Sequence, residues 1–147
     1  MRRIAAASAV TLDVDAELER PWARFWVARA APDRVPVAFM LAWVVADELH
    51  LHHIATDPVH RRKGAARALI STLLAHGASV GTRLVLLEVR RSNRAAIRLY
   101  RDFGFTAMGL RRDYYADGED AIEMRLTLDP TTGKIIPGRD EVALPET

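Results

Sequence analysis

A short run of small and basic residues, Arg61-Arg62-Lys63-Gly64-Ala65-Ala66-Arg67, has the composition of an anion-binding segment. It stands where a strand-like segment ends and a helical pattern begins. The first amide groups of a helix have no partner inside the helix, and with the helix dipole and nearby cations they favour a pyrophosphate. The run is neither a P-loop, since no Gly-Lys-Ser/Thr occurs, nor a dinucleotide fingerprint, since two glycines are missing. A solvated basic first turn is the alternative.

A carboxylate stands near the end of the apolar segment Arg83 to Val89. Strand alternation puts Glu88 on the same face as Leu86, where desolvation would raise the pKa of the carboxyl group toward neutrality. Such a group could act as a general base. The alternative is a strand-end glutamate that lies in water or pairs with Arg90 or Arg94.

A tyrosine lies on the apolar stripe of the next helical pattern, where it could serve either packing or chemistry. Tyr100 shares this stripe with Ala96, Leu99 and Phe103. The spacing alone favours a buried core tyrosine. A phenol beside a reacting group could instead donate a proton.

Two further polar groupings have weaker functional interpretations. Glu48, His50 and His52 alternate onto one strand face, which could suggest metal ligands or a substitute base, but we expect a polar strand face and no metal. Tyr114-Tyr115 with Asp117 to Asp120 forms an aromatic and acidic loop that could receive the start of a peptide and its positive amine. Turns are also commonly acidic without any function.

The elements around these residues alternate between strand and helix patterns. Arg24 to Ala30 and Val35 to Val45 predict a hairpin, and Glu48 to Ala55 predicts a third strand. The later pattern predicts a helix from Arg61 to His76-Gly77, a strand buried on both faces at Arg83 to Val89, a helix from Ser92-Asn93 to Gly104, and strands at Phe105 to Arg112 and Ala121 to Leu128. A helical crossover implies parallel pairing of the strands that it joins. The predicted fold class is therefore mixed α/β.

Composition limits the function classes that this chain can serve. It has 147 residues, half of them hydrophobic, which indicates one domain, and it has no cysteine, which excludes disulfides, thiolate metal sites and an acyl-cysteine intermediate. The net charge of +2 argues against a nucleic-acid partner, and no segment is apolar enough to span a membrane. Met1 to Val10 resembles a secretory signal only faintly, so we expect a cytoplasmic protein.

The motifs together resemble the GNAT superfamily of N-acetyltransferases. The superfamily pattern Arg/Gln-x-x-Gly-x-Gly/Ala is matched by Arg61, Gly64 and Ala66. Within the superfamily, the chain is similar to the bacterial RimI group, which acetylates the N-terminal alanine of a small-subunit ribosomal protein. The matching segments are Ile54-Ala55-Thr56-Asp57-Pro58, Leu87-Glu88-Val89-Arg90, Ser92-Asn93, Ala95-Ala96-Ile97, Leu99-Tyr100, Gly104-Phe105, Arg111-Arg112, Tyr114-Tyr115 and Glu119-Asp120-Ala121. The similarity extends in order from about Arg24 to Leu128.

This resemblance implies a fold, a co-substrate and residue roles. The fold would be a mixed, mostly antiparallel sheet with a central parallel pair and flanking helices, and the co-substrate would be acetyl-CoA, with no metal. The residues that would bind the cofactor are Ile54, Ala55 and Thr56 through backbone groups along the acetyl-pantetheine arm, Arg62, Lys63, Gly64, Ala65, Ala66 and Arg67 at the pyrophosphate, and Asn93. Glu88 would accept a proton. Tyr100 would hydrogen-bond to the departing thiolate or protonate it, since a phenol with a reference pKa of about 10 carries its proton at neutral pH.

The chain departs from this group in the segment before Arg24. Only about twenty residues precede Arg24, with Asp15 to Ala23 as a remnant of the usual helices, so the acceptor site is less well determined than the cofactor site. We expect an acetyltransferase domain over residues 1–128 and a flexible tail over residues 129–147. The expected partner is a protein N-terminus, with ribosomal protein as the first candidate and neither nucleic acid nor membrane. The rival hypotheses are an enzyme for small amines and an acyl-CoA-binding module without turnover.

Overall fold

The computed structural model describes residues 13–145, and the secretory-signal interpretation of Met1 to Val10 lies outside them. The helices are α1 (Val14–Leu18), α2 (Ala65–Ser79) and α3 (Arg94–Phe103), with a short 3-10 helix at Pro58–His60. The strands are β1 (Ala23–Ala30), β2 (Val35–Val45), β3 (Glu48–Thr56), β4 (Leu84–Arg90), β5 (Thr106–Arg111), β6 (Ala121–Leu128) and β7 (Ile135–Ile136). The described chain forms two compact units, residues 13–46 with 50–76, and residues 47–49 with 77–145. None of the described helices is long and apolar enough to cross a bilayer.

The first unit is built on the predicted hairpin. β1 and β2 pair antiparallel, with Phe25 opposite Leu41 and Val27 opposite Phe39. The apolar run of β2 is buried from residue 37 to residue 42, which explains why this segment forms the centre of the unit. Asp57 ends the strand region, where its backbone amide donates to the Val37 carbonyl at 2.7 Å.

The second unit is built on three antiparallel strands in the order β4-β6-β5. α3 has the predicted caps, because Asn93 Oδ1 accepts from the Ala96 amide at 3.1 Å and Gly104 ends the helix with a φ of 108°. Its buried residues are Ile97 and Tyr100. The pattern located this helix and the burial of Tyr100, but Ile97 was not on the predicted stripe, and Ala96, Leu99 and Phe103, which were, are only partly buried.

Two local predictions differ from the structure. β4 was predicted to be buried on both faces, but only one face is buried. Val85, Leu87 and Val89 lie on the buried face, whereas Glu88 lies on the other face and is exposed. α2 was predicted to run from Arg61 to His76-Gly77 but begins at Ala65 and continues to Ser79. Gly77 therefore lies inside the helix and does not end it. A Cβ at this position would come within 3.3 Å of both Leu49 and Thr82, so the absence of a side chain allows close packing.

The segment after β6 is held against the second unit by several contacts. β7 pairs with β6, with Ile135 opposite Leu128. Asp140 accepts from Arg101 at 2.7 Å and from the Ala107 amide at 2.9 Å. The backbone of Glu141 donates to the Ala107 carbonyl, also at 2.7 Å. The sequence pattern did not predict this docking.

Candidate active site

The anion-binding segment forms a sharp turn at the start of α2. Arg62 and Gly64 have φ values of 64° and 85°, and α2 begins at Ala65. A Cβ at Gly64 would meet nothing within 4 Å, so the glycine is needed for its backbone conformation and not for space. The left-handed turn exposes the open end of a fifteen-residue helix, whose first amides have no partner inside the helix.

The side chains around this turn are cationic and exposed. Arg62, Lys63 and Arg67 are all exposed, and no acidic residue lies in the first turn of α2. The helix dipole adds positive potential at the same end. The residues predicted to hold a pyrophosphate therefore lie together, with the charge and geometry that such a group requires.

A cavity of about 240 Å³ adjoins this turn within the first unit. Its lining includes His60, Lys63, Gly64 and Ala65. The Nδ1 atom of His60 is buried and has no hydrogen-bond partner among the described residues. A polar atom left in this state indicates space for a ligand atom or a water.

The predicted pantetheine-contacting residues end β3 in the same unit. Ala55 is buried, and Ile54 and Thr56 are partly buried. A buried alanine offers little side-chain chemistry. The backbone groups at this strand end are therefore the means by which these residues could hold an extended ligand.

Glu88, the proposed base, lies in the second unit among polar partners. Its side chain is 32% exposed, and its Oε1 atom lies 3.6 Å from Arg111 Nε. A hydrogen bond between Tyr114 and Glu88 is the main reason why the pKa of Tyr114 lies above its ordinary value. The predicted burial of this face is not observed, and the ion-pair partner is Arg111, not Arg90 or Arg94.

Tyr100, the proposed acid, is buried in α3. Its ring meets that of Phe105 in an edge-on contact, with centroids 5.8 Å apart. Burial raises the pKa of the Tyr100 phenol far above its ordinary value, and the nearby Tyr115 raises it further. The group therefore keeps its proton throughout the physiological range.

Tyr115 is near enough to both proposed catalytic residues to influence them electrostatically, and the sequence interpretation did not single it out for this. It interacts electrostatically with Glu88 and with Tyr100, and its own pKa is raised mainly by burial. The Arg90 guanidinium lies 4.0 Å from the centre of its ring. The adjacent Tyr-Tyr pair was the only sequence signal, and spacing alone could not assign this position.

Arg90 also fixes the acidic part of the same loop. It donates to Asp117 at 2.9 Å and to Glu119 at 3.0 Å, and Glu119 also accepts from the Ser92 amide at 3.1 Å. The pKa of Glu119 is lowered by its hydrogen bond with Ser92 and by Arg90. The predicted aromatic and acidic loop is thus a structured element.

A cavity of about 610 Å³ lies beside this loop and the start of α3. Its lining includes Arg91, Ser92, Gly118 and Glu119. Asn93 is exposed next to it, and its Oδ1 atom serves as the helix cap. The side-chain nitrogen of Asn93, Nδ2, is therefore the atom that could donate to a cofactor.

The polar face of β3 includes His52, which has an aromatic neighbour. The His52 ring lies against Trp43, with centroids 4.0 Å apart. Within residues 13–145, no group of three metal-binding side chains is placed to hold an ion. Burial lowers the pKa of the neighbouring His53, against the opposing effect of Glu17.

Comparison with known proteins identifies the class to which these elements belong. Residues 4–105 match the acetyltransferase (GNAT) family, and the chain belongs to this family. The fold prediction is confirmed, since the GNAT fold is a mixed and mostly antiparallel sheet with one parallel pair and flanking helices.

The chain is similar to several individual acetyltransferases of known sequence or structure. The chain is 46% identical over 94 residues to the ribosomal protein bS18-alanine N-acetyltransferase of Escherichia coli K12. This matched region covers 62% of the present chain and 64% of the relative. The crystal structure of the S18-alanine N-acetyltransferase from Escherichia coli superposes with a TM-score of 0.76 at 32% identity, over 95% of this chain and 87% of that one. A nourseothricin acetyltransferase gives a TM-score of 0.65 at 32% identity, over 71% and 65% of the two chains. In the sequence comparison the chain thus spans less than two thirds of the Escherichia coli relative's length.

Proposed function

We propose that this protein is an acetyl-CoA-dependent N-acetyltransferase that acts on the N-terminal amine of a protein. The observation that carries the proposal is the left-handed turn at Arg62 and Gly64, which opens α2 to an anion beside exposed cations. A diphosphate is the group that such a helix start suits best. Membership of the acetyltransferase (GNAT) family supports acetyl-CoA as the co-substrate.

The proposed cofactor residues bind through different groups, some through the backbone and others through the side chain. Backbone amides at Ala65 and Ala66 bind the diphosphate oxygens, and Arg62, Lys63 and Arg67 supply positive charge. The ends of β3, at Ile54 to Thr56, hold the extended arm through backbone groups. Asn93 adds a side-chain contact. The bound thioester supplies an activated acetyl group, and these residues hold and orient it.

Glu88 accepts the proton that the amine must lose. The reference pKa of a protein N-terminal amine is about 8, so a sizeable fraction is already neutral near neutral pH and a weak base is sufficient. A carboxylate that is partly open to water can exchange its proton with solvent after each turnover. The observed exposure of Glu88 therefore suits this role, although it is not the desolvated base that alternation predicted.

Tyr100 assists the departure of the sulfur. The phenol stays protonated at neutral pH, so its O–H can donate a hydrogen bond to the thiolate that forms as the carbon–sulfur bond breaks; because a thiol judged by cysteine has a reference pKa of only about 8.5, complete proton transfer is not required. Burial of Tyr100 excludes water from this transfer. The phenol can also stabilise the thiolate by a hydrogen bond without full transfer.

The acceptor is the N-terminal amine of a protein whose first residue is alanine. This protein is a ribosomal protein, and the reaction takes place in the cytoplasm. The loop that carries Tyr114 and Tyr115 offers aromatic faces, and Asp117 and Glu119 offer negative charge for a positive amine. Arg90 orders this loop through its contacts with three of these residues. We place the catalytic domain within residues 1–128.

A screen of acceptors tests the proposal directly. The purified protein is incubated with acetyl-CoA and a peptide that begins with alanine, and release of free thiol is measured with the mass of the peptide. The matched control is the same peptide with a blocked N-terminus. We expect acetylation of the free peptide only, and no thiol release with any amine would refute acetyl transfer.

A small-molecule acceptor is the second candidate, because a nourseothricin acetyltransferase has the same fold at equal identity. The same assay includes a polyamine and an aminoglycoside-like antibiotic. A higher kcat/KM with either of these than with the alanine peptide would favour this candidate.

A further inference from the structure

Two carboxylates face each other across neighbouring strands at the proposed base. Glu88 of β4 is the register partner of Glu123 of β6. Like charges directly opposite each other in an antiparallel pair repel and are destabilising. The pair therefore requires a cation, which the structure provides from β5.

Arg111 supplies this cation and distributes its contacts unequally. Its Nε atom lies 2.8 Å from Glu123 Oε1 and 3.6 Å from Glu88 Oε1. The first distance is a charge-assisted hydrogen bond, and the second is too long for one. Glu123, not Glu88, is thus the direct partner of the guanidinium.

Gly109 makes room for this arrangement. It is the register partner of Glu123 in β5, just after a register shift between Ala107 and Gly109. A Cβ at Gly109 would lie 3.4 Å from Glu123 Oε1, so a larger residue would crowd the carboxylate. The irregularity in β5 and the absence of a side chain allow Glu123 to reach Arg111.

We propose that Glu123 is a positioning residue for the acetyl-transfer reaction: by holding the Arg111 guanidinium at 2.8 Å, it keeps that group 3.6 Å from Glu88, beyond hydrogen-bond distance, and leaves the Glu88 carboxylate able to accept the proton of the amine. This inference rests on the proposed function. A base that is paired with a fixed cation holds its charge more strongly and accepts a proton less readily. Glu123 prevents this outcome.

The test removes the negative charge of Glu123 and then removes the cation. In Glu123→Gln, the guanidinium loses its carboxylate partner and moves to Glu88, so kcat should fall by roughly tenfold, a part of what a positioned base contributes. The KM for acetyl-CoA should change little. In the double variant Glu123→Gln/Arg111→Gln, the displaced cation is absent, and kcat should recover to several times that of the single variant.

The recovery separates positioning from a structural role. If Glu123 only tied β5 to β6, removal of Arg111 as well would leave kcat as low as in the single variant or lower, and this result would overturn the inference. An unchanged kcat in Glu123→Gln would also overturn it. The matched control is Glu141→Gln, which removes the exposed ion pair of Glu141 with Arg125 of the same strand β6 and should leave kcat unchanged.

The same assay separates this inference from the proposed function. Absence of acetyl transfer by the unaltered protein with every amine refutes the proposed function itself. Transfer by the unaltered protein, without loss in Glu123→Gln or without recovery in the double variant, refutes only the role of Glu123. Thermal unfolding of each variant confirms that the comparison is made on folded protein.

Discussion

The ring of Tyr100 meets the ring of Phe105 edge-on, with a centroid separation of 5.8 Å and an interplanar angle of 62°. This contact anchors the C-terminal half of α3 to the residue that follows its glycine cap. It involves the rings alone, so the phenol oxygen can be removed without loss of the contact. The chemical role of Tyr100 can therefore be separated from its packing role.

Tyr100→Phe should lower turnover much more than it lowers affinity for acetyl-CoA. The ring remains in place, and only the proton donor is lost. We expect kcat to fall by about 100-fold, the lower end of the range for general acid–base groups. Steady-state kinetics with acetyl-CoA and an amine acceptor measure both quantities. Unchanged turnover would dismiss Tyr100 as the acid.

The tyrosines of the folded protein should resist ionisation at high pH. The pKa of each of the three is raised, Tyr100 and Tyr115 mainly by burial and Tyr114 mainly by its hydrogen bond with Glu88. The unfolded chain releases these protons at about pH 10, whereas the folded state retains them, so stability should decrease as the pH rises above about 10.

Tyrosinate absorbance provides the measurement for this prediction. At about pH 10 the native protein should show much less tyrosinate than the same protein in denaturant. Tyr100→Phe should remove the group that titrates last. A native titration that coincides with that of the denatured chain would contradict the burial of Tyr100.

Gly64→Ala should weaken acetyl-CoA binding. The added Cβ has open space, but the backbone φ of 85° is unfavourable for any residue with a Cβ by about 1–2 kcal/mol. Relief of this strain would close the turn that opens α2, so the KM for acetyl-CoA should rise severalfold. Equilibrium binding by calorimetry checks the affinity.

The matched control for this substitution is Gly81→Ala. Gly81 has a similar φ of 73° and also has room for a Cβ, with its nearest neighbour at 3.7 Å, but it lies in the turn before β4. Its stability loss should be similar, and its effect on acetyl-CoA binding should be absent. Equal loss of binding in both variants would mean that the effect is general destabilisation.

Asp140→Ala should destabilise the second unit by about 1–3 kcal/mol, because it leaves the amide of the buried Ala107 without its side-chain acceptor and Arg101 without its carboxylate. Denaturant unfolding measures the free energy. Asp140→Asn is the milder comparison, since its side-chain oxygen can still accept from Ala107. Equal stability of all three proteins would show that the docked segment contributes nothing.

The elements with local signals could be predicted from the sequence. The run from Arg61 to Arg67 indicated the helix start, and Asn93 and Gly104 indicated the two ends of α3, since caps and left-handed glycines act on neighbouring residues. Strand alternation also located Glu88 near the end of β4. These features require only contacts that are close along the chain.

The environment of Glu88 could not be predicted, because it depends on strand register. Glu123 lies opposite Glu88 only in the observed pairing of β4 with β6, and Arg111 reaches both only after the irregularity near Gly109. A shift of one residue would have put these side chains on opposite faces. The docking of residues 129–145 was missed for a related reason, since Ile135-Ile136 is too short to show any periodicity.

The contacts of Arg90 have a consequence for how an acceptor would be selected. A loop that Arg90 of the separate strand β4 already holds in place gives up little conformational entropy when a peptide binds, because its shape exists beforehand. Discrimination between acceptor peptides at this loop would come from steric fit to the first residue of the peptide and not from closure of the loop around it.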